Sequence, residues 1–269
     1  MSSTAPSATT LRRDQAVLAD HEIKLRHDPV HRHVLYIFAF NERRLLTKML
    51  DQLPPLAERQ FDLMIGDDGS TDGTAAPDLL EQYGVRGVTA LKKNGGLSEN
   101  IKVAIRWLYT QPYAGVIMIN GNNRDNPAAI PEFIRWLDQG YGYVQGSRFQ
   151  PGGQAVNTPP IRYWAIRLLH APLFSLASLK WMTDTTNGFR AFSLAFLRDP
   201  RVHPFQPEFV KYEIEQYLGW KAIRLGYPAT EIPVARIYPV GSYSSHIRPG
   251  WGWVSMLKPL IMLLLRCYR

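Results

Sequence analysis

The sequence predicts an α/β fold, a mostly parallel central sheet flanked by helices on both faces. Three observations carry that expectation. From His33 to Gln150, short apolar runs alternate with helix-like segments, the pattern of parallel strands joined by crossover helices. The runs are continuously apolar, as strands buried on both faces read. Each closes on polar residues, and in such sheets ligands bind beyond the carboxyl ends of the strands.

The elements follow in order. "HVLYIFAF" (His33–Phe40) reads as a strand and "NERRLLTKMLDQL" as a helix; "FDLMIGDD" is the second strand, ending on acids and a turn. "TDGTAAPDLLEQYG" is helical, with Gly84 as its stop, and "GVTALKK" is a short strand. "NGGLSENIKVAIRWLY" places Ile101, Ala104, Ile105 and Leu108 on one helical face. "AGVIMIN" is a fourth strand, a helix follows that buries Ile130, Phe133, Ile134 and Leu137, and "YGYVQGSRF" is a fifth strand. Beyond Gln150 comes a loop, then "IRYWAIRLLHAPLFSLASLKW", apolar nearly all round. "DTTNGFRAFS" reads as a turn back, "EFVKYEIEQYLGWKAIRLGY" as a helix and "ATEIPVARIYPV" as strand-like. Residues 1–32 read as an N-terminal extension, with Met1–Thr10 disordered. One domain spans 33–245, its halves about 33–150 and 151–245, and 246–269 form a basic apolar tail of amphipathic helix. The tail suits either a membrane interface or packing on the domain.

The net charge of +8 is uneven: Ala235–Arg269 holds five Arg and Lys and no carboxylate, and Ala155–Thr183 repeats the pattern with Arg162, Arg167 and Lys180. Such asymmetry suits a polyanionic partner. Nucleic acid is disfavoured, because these cations lie beside apolar residues and no binding module is visible. The single Cys267 excludes an internal disulfide and fits a reducing compartment, and no apolar run reaches spanning length. The expectation is a cytoplasmic protein, peripheral on the inner face of the membrane.

The most specific chemical feature is a carboxylate pair, Asp67 and Asp68, closing an apolar strand and followed by "GSTDGT". Carboxylates so placed can accept hydrogen bonds from a nucleobase or ribose, while Ser70, Thr71 and Asp72 suit a turn and helix cap. The other strand ends offer Asn41 and Glu42, Asn94, Asn120–Asp125, and Ser147 with Arg148.

"FAFNE", "IGDDGSTDGT", "KKNGGLSENIKVAI", "VQGSRF" and "DTTNGFRAF" stand in the order and approximate spacing of a known family. Over Val34–Ile237 the chain resembles family 2 nucleotide-sugar glycosyltransferases of the GT-A fold, of the dolichyl- or polyprenyl-phosphate sugar synthase type. The resemblance implies a nucleotide pocket of Phe38, Phe40, Glu42, Asp67, Asp68, Asn94, Asn120 and Gly121. It implies catalytic roles for Arg148, Asp184 and Arg190, and an acceptor or diphosphate role for Asn187. Two departures stand out. The family's Asp-x-Asp is here Asn120-Gly121-Asn122, so the implied divalent cation (Mg or Mn) has only amides there, with Asp125 as the remaining carboxylate ligand beside Asn122. Arg124 could neutralise diphosphate instead. Near the family's Ser-Lys pair the chain carries His246 and Arg248, a loosely matched cationic site.

The reading implied is an inverting enzyme moving a sugar from a nucleotide diphosphate to a polyprenyl-phosphate lipid, an acceptor that needs no general base. A soluble hydroxyl acceptor, in natural-product or polysaccharide synthesis, would need one, with Asp184, Glu213 and Glu215 as candidates. A nucleotide-binding protein without catalysis is the third reading, motivated by the two amides.

Overall fold

The computed structural model describes residues 21–239, 251–265 and 267–268. Ten strands run β1 His21–Leu25, β2 His33–Ala39, β3 Phe61–Asp67, β4 Gly87–Leu91, β5 Gly115–Asn120, β6 Tyr143–Ser147, β7 Gln154–Val156, β8 Arg190–Ser193, β9 Ala229–Pro233 and β10 Ala235–Ile237. The helices are α1 Arg43–Leu50, α2 Pro77–Gln82, α3 Leu97–Tyr109, α4 Ile130–Asp138, α5 Pro160–Ala165, α6 Ala171–Ser178, α7 Leu194–Leu197, α8 Glu213–Arg224 and α9 Trp251–Leu264.

Eight strands form one sheet in the order β1-β4-β3-β2-β5-β8-β6-β9, and β7 pairs with β10 in a second, parallel ribbon. The five strands expected from apolar runs are present, and β2 pairs in parallel with both β3 and β5. Strand β2 is buried throughout, and alternate residues face opposite ways. Val34, Tyr36 and Phe38 join a core with Ile101, Ala104, Ile105 and Leu108 of α3 and Ile214 and Tyr217 of α8. Leu35, Ile37 and Ala39 join the other, with Leu46 and Met49 of α1 and Phe133 and Leu137 of α4. This two-sided burial is why the strands read as unbroken apolar runs.

Three strands depart from expectation, one of them β7, which lies in the segment read as a loop and pairs with β10. β1, inside the N-terminal extension, pairs antiparallel with β4 and leaves Ile23 and Leu25 exposed. It adds hydrogen bonds to an edge without burying an apolar face, so no pattern marks it. The segment read as a turn back contains β8, which inserts antiparallel between β5 and β6. Because β8 runs backwards, its first residue, not its last, sits at the carboxyl edge of the parallel strands. That geometry delivers the preceding loop Asp184–Phe189 to the crevice.

The long apolar segment is α5, a π-helical turn at Ile166–His170, and α6. Pro172 stands in the first turn of α6 with no N–H to donate backwards, which accommodates the wider turn. The described part of the tail, α9, packs against α6 and α8 through Leu260 and Leu263, beside Phe174 and Tyr217. No helix among the described residues is long and apolar enough to cross a membrane.

Candidate active site

The polar ends of β2, β3, β4 and β5, the loop before β8 and the start of α8 enclose a cavity of about 560 Å³. Of the residues singled out in the sequence, Phe38, Phe40, Glu42, Asp68, Asn94, Asn120, Asn122, Arg124 and Arg190 line it. Asp67, Gly121, Asp125, Arg148, Asp184 and Asn187 do not. His246 and Arg248 lie outside the described residues.

The first wall is a pair of interlocked loops. Asn41 adopts φ 52°, in the left-handed region that Asn tolerates, and its Oδ1 accepts from the Thr71 N–H at 2.9 Å. In return, the Asn41 N–H donates to Ser70 Oγ and the Glu42 N–H to Thr74 Oγ1. "NE" and "GSTDGT" therefore hold each other. The two acids of β3 divide their work. Asp67 accepts from the Ser70 N–H at 3.1 Å and shapes the turn. Asp68 lines the cavity and accepts from the Gly95 N–H at 2.7 Å and the Gly96 N–H at 3.0 Å, tying β3 to the loop before α3. Burial pushes the Asp68 carboxyl above its usual range, against those bonds. For Asp67 the turn role is the one the structure displays. Gly69 has φ +77°, and a Cβ there would meet the Lys93 backbone at 2.7 Å.

Glu42 is the second carboxyl of this wall. Burial pushes it up to about 7, with Arg124 and Arg236 pulling the other way. Gly121 is buried beneath it; its N–H donates to the Phe38 carbonyl at 2.8 Å, holding the end of β5 against β2.

Across the cavity the loop before β8 departs from its expected role. Asp184 is fully buried and takes Arg148 in a two-point ion pair, Nε–Oδ2 2.6 Å and Nη2–Oδ1 2.8 Å. Burial opposes the Asp184 charge, and Arg148 outweighs it, holding the carboxyl below its ordinary range. Both groups are spent on each other, so neither is placed as a base or as a diphosphate ligand. They brace Thr185 and Thr186, which line the cavity; Arg148 Nη2 also donates to Thr186 Oγ1 at 2.7 Å. Behind Thr185 stands His170 from the π-helical turn, its Nδ1 2.6 Å from Thr185 Oγ1. Burial lowers that imidazole to about 4, so it is neutral. Asn187 turns its carbonyls inward: its side-chain oxygen accepts from the Phe189 N–H at 3.2 Å and its backbone oxygen from Arg190.

Arg190 does reach the cavity, held by the Glu215 backbone carbonyl at 2.9 Å and facing the Glu215 carboxylate at 3.3 Å. Of the three candidate bases, only Glu215 lines the cavity. Glu213 instead accepts from the Val210 and Lys211 N–H groups before its own helix.

Sequence reasoning missed Arg162, Tyr212, Gln216 and Arg236 as lining residues. Arg236 comes from β10 and forms a buried ion pair with Asp125. The Asp125 backbone also bridges to Arg236, closing the loop after β5 onto the second ribbon. The available signal was an arginine inside the strand-like run "PVARIYP", where burial demands a partner.

Glucosyl-3-phosphoglycerate synthase of Mycobacterium tuberculosis, solved with Mn2+, UDP and phosphoglyceric acid, matches with a TM-score of 0.60, at 19% identity, over 98% of this chain and 84% of its own. The same enzyme with Mn2+ and UDP-glucose gives a TM-score of 0.59 at 20% identity, over 98% of this chain and 84% of its own. The architecture is thus the GT-A fold of glycosyltransferases. The chain belongs to glycosyl transferase family 2, whose family model matches residues 35–199. Polyprenol monophosphomannose synthase of Mycolicibacterium smegmatis is 24% identical over 209 residues, 77% of each chain. Undecaprenyl-phosphate mannosyltransferase of Micrococcus luteus is 27% identical over 204 residues, 72% of this chain and 79% of that one.

The Mn2+ of the structural neighbours raises the question of fit. The strand end where the family resemblance implies a cation offers two amides, Asn120 and Asn122, then Arg124. Asp125, expected to supply the missing carboxylate, is 2% exposed and turned into the Arg236 pair. Two neutral amide oxygens bind a hard divalent cation much more weakly than two carboxylates, and a guanidinium beside them is repulsive. The donor set does not fit the ion, which corrects the expectation of Asp125 as a metal ligand. Among the described residues no group of three His, Cys, Asp or Glu side chains is arranged to hold a metal.

Proposed function

We propose that this glycosyltransferase moves a sugar from a nucleotide diphosphate to a polyprenyl-phosphate lipid at a membrane surface, with inversion at C1. The carrying observation is the surface beside the cavity. The helical segment from α5 to the loop after α6 leaves Ile161, Trp164, Leu168, Leu176, Leu179 and Trp181 more than half exposed. Arg162, Arg167 and Lys180 are interleaved with them, and Arg162 also lines the cavity. Apolar side chains that enter the acyl boundary, flanked by cations that meet lipid phosphates, are the composition of an interfacial surface. α9 and the residue that follows it add exposed Ile261 and Leu265. The names of the two sequence relatives, both acting on polyprenol-type phosphates, support the same acceptor class.

The nucleotide's base and ribose fit the wall of Phe38, Phe40, Asp68 and Asn94, aromatic surface with a carboxylate acceptor. Its diphosphate then points toward Arg124, after the end of β5, and the arginines that α5 and β10 bring beside it. An oxygen of the lipid phosphate attacks C1 as the bond from C1 to the diphosphate oxygen breaks, and the nucleoside diphosphate leaves with the bonding pair. Negative charge grows on that leaving group, and guanidinium groups fixed beforehand stabilise it. The acceptor is already an anion, so no proton need be removed. That agrees with a cavity in which Asp184 is locked away and Glu215 faces Arg190. Attachment is peripheral, on the cytoplasmic face.

The test is incubation of the purified chain with a panel of nucleotide sugars and a polyprenyl phosphate in vesicles. Sugar-linked lipid phosphate is the expected product; absence of transfer across the whole panel would refute the acceptor class. One observation favours a second reading. Glu215 is a carboxylate in the cavity, 13% exposed, where a soluble hydroxyl acceptor would need its base. Transfer to hydroxyl compounds alone would select it.

A further inference from the structure

The misfit at the end of β5 has a counterpart beside it. Three guanidinium groups converge on a single ring: the Cζ atoms of Arg124, Arg236 and Arg162 lie 5.1, 5.7 and 5.8 Å from the centroid of Tyr238. They come from three separate parts of the chain, and all three line the cavity. Like charges gathered round one ring in one cavity wall repel, at a cost that an anion among them relieves. Among the described residues, Asp125 pairs with Arg236, and the Glu42 carboxyl stands near Arg124 and Arg236. The arginines also act on the ring they share, since burial would raise the Tyr238 phenol but Arg236, Arg162 and Arg148 bring it below its usual value.

We propose that Arg124, Arg162 and Arg236, clustered on Tyr238, take the place of a divalent cation and bind the donor's diphosphate directly. The inference rests on the donor-site reading above and deepens it. Chemically the exchange is coherent. A metal would bridge two phosphates with one centre of charge, whereas guanidinium groups do so with fixed N–H forks that match phosphate oxygens in pairs. The same substitution explains why amides stand at Asn120 and Asn122. With no cation to ligate, carboxylates there would repel the diphosphate, whereas amide N–H groups can donate to it. Asp125 is the positioning partner, holding the Arg236 guanidinium at the cavity wall from behind.

Calorimetric titration of the full chain tests this with UDP, GDP and the matching nucleosides, in EDTA and again with excess Mn2+ or Mg2+. The preferred nucleoside diphosphate is expected to bind with affinities that agree within about threefold with and without metal, less than the worth of one charge-assisted hydrogen bond. Arg124→Gln and Arg162→Gln should each weaken the diphosphate about tenfold or more and leave the nucleoside unchanged. Arg236→Gln strips a buried carboxylate of its partner, so Asp125→Asn/Arg236→Gln, which removes both charges, is measured beside it with the same expectation. Diphosphate affinity that collapses in EDTA and returns with metal would overturn the proposal, as would unchanged affinity in the arginine variants. If no nucleoside diphosphate binds under either condition, the donor-site reading itself falls.

Discussion

At the scale of single residues, the site depends on how carboxylates are neutralised. Asp184 and Arg148 form a buried two-point pair, and removing one partner of such a pair leaves the other charge stranded, at a cost of about 3–5 kcal/mol. Asp184→Asn is therefore expected to lower the urea midpoint sharply, with any loss of turnover following from the collapse of the Thr185–Thr186 wall. A variant of unchanged stability and abolished turnover would return Asp184 to a chemical role. Glu42 gives a pH signature. Burial raises its carboxyl to about 7 in the folded chain, so the neutral form is favoured there. The sign follows: the folded state gains relative stability that is fully present below the ordinary carboxylate value and is lost as pH rises through about 7. Wild type should lose more stability than Glu42→Gln between pH 5 and pH 8; parallel curves for the two proteins would contradict the assignment. Little of this was legible beforehand. Asp67 and Asp68 look equivalent in the sequence, and only the loop before α3 reveals that Asp68 meets Gly95 and Gly96 while Asp67 turns to Ser70. The pairing of Asp125 with Arg236 spans 111 positions, a distance that no local pattern encodes.

At the scale of elements, strands buried on both faces announce themselves and short or edge strands do not. β2, β3 and β5 read clearly because both their faces are apolar. β8 has four residues after a turn, and its identity comes from the gap it fills between β5 and β6. That insertion also fixes where "DTTNG" lies. Gly188, within it, packs so closely on the Asn120 amide that an added Cβ would collide. Gly188→Ala should therefore displace either Asn120 or the loop, weakening nucleotide binding with a smaller effect on the melting temperature. Unaltered binding would show that the contact is not needed. The α5–α6 segment carries the membrane prediction. Leu168 is 69% exposed, so Leu168→Glu should leave the unfolding free energy within about 0.5 kcal/mol of wild type. Sedimentation with anionic vesicles should fall about tenfold, the worth of one leucine side chain withheld from the acyl boundary. Equal sedimentation would remove this face from the membrane contact.

At the scale of the whole molecule, the fold gathers what the sequence disperses. The crevice was legible as a place, because the polar strand ends were visible and the strand-end rule locates ligands there. Its chemistry was legible mainly on the side built by the first half of the chain, with Arg190 and Glu215 the lining residues singled out from the second. The other wall is assembled from β10, α5 and the start of α8, whose arginines and acids read as strand or solvated helix until packing brought them inward. The positive charge noted in the second half has two destinations: Arg162 and Arg236 face the cavity, and Arg167 and Lys180 accompany exposed apolar residues outside it. The cavity and the exposed apolar surface share one helix, α5, which is the juxtaposition that the proposed transfer to a lipid phosphate requires.

The measurement closest to that claim follows transfer of labelled sugar from its nucleotide to polyprenyl phosphate in vesicles, with wild type and Glu215→Gln side by side. An anionic acceptor that needs no base predicts lipid-linked product from both proteins, at rates of the same order. Product formed only on soluble hydroxyl compounds, and lost in Glu215→Gln, would contradict it.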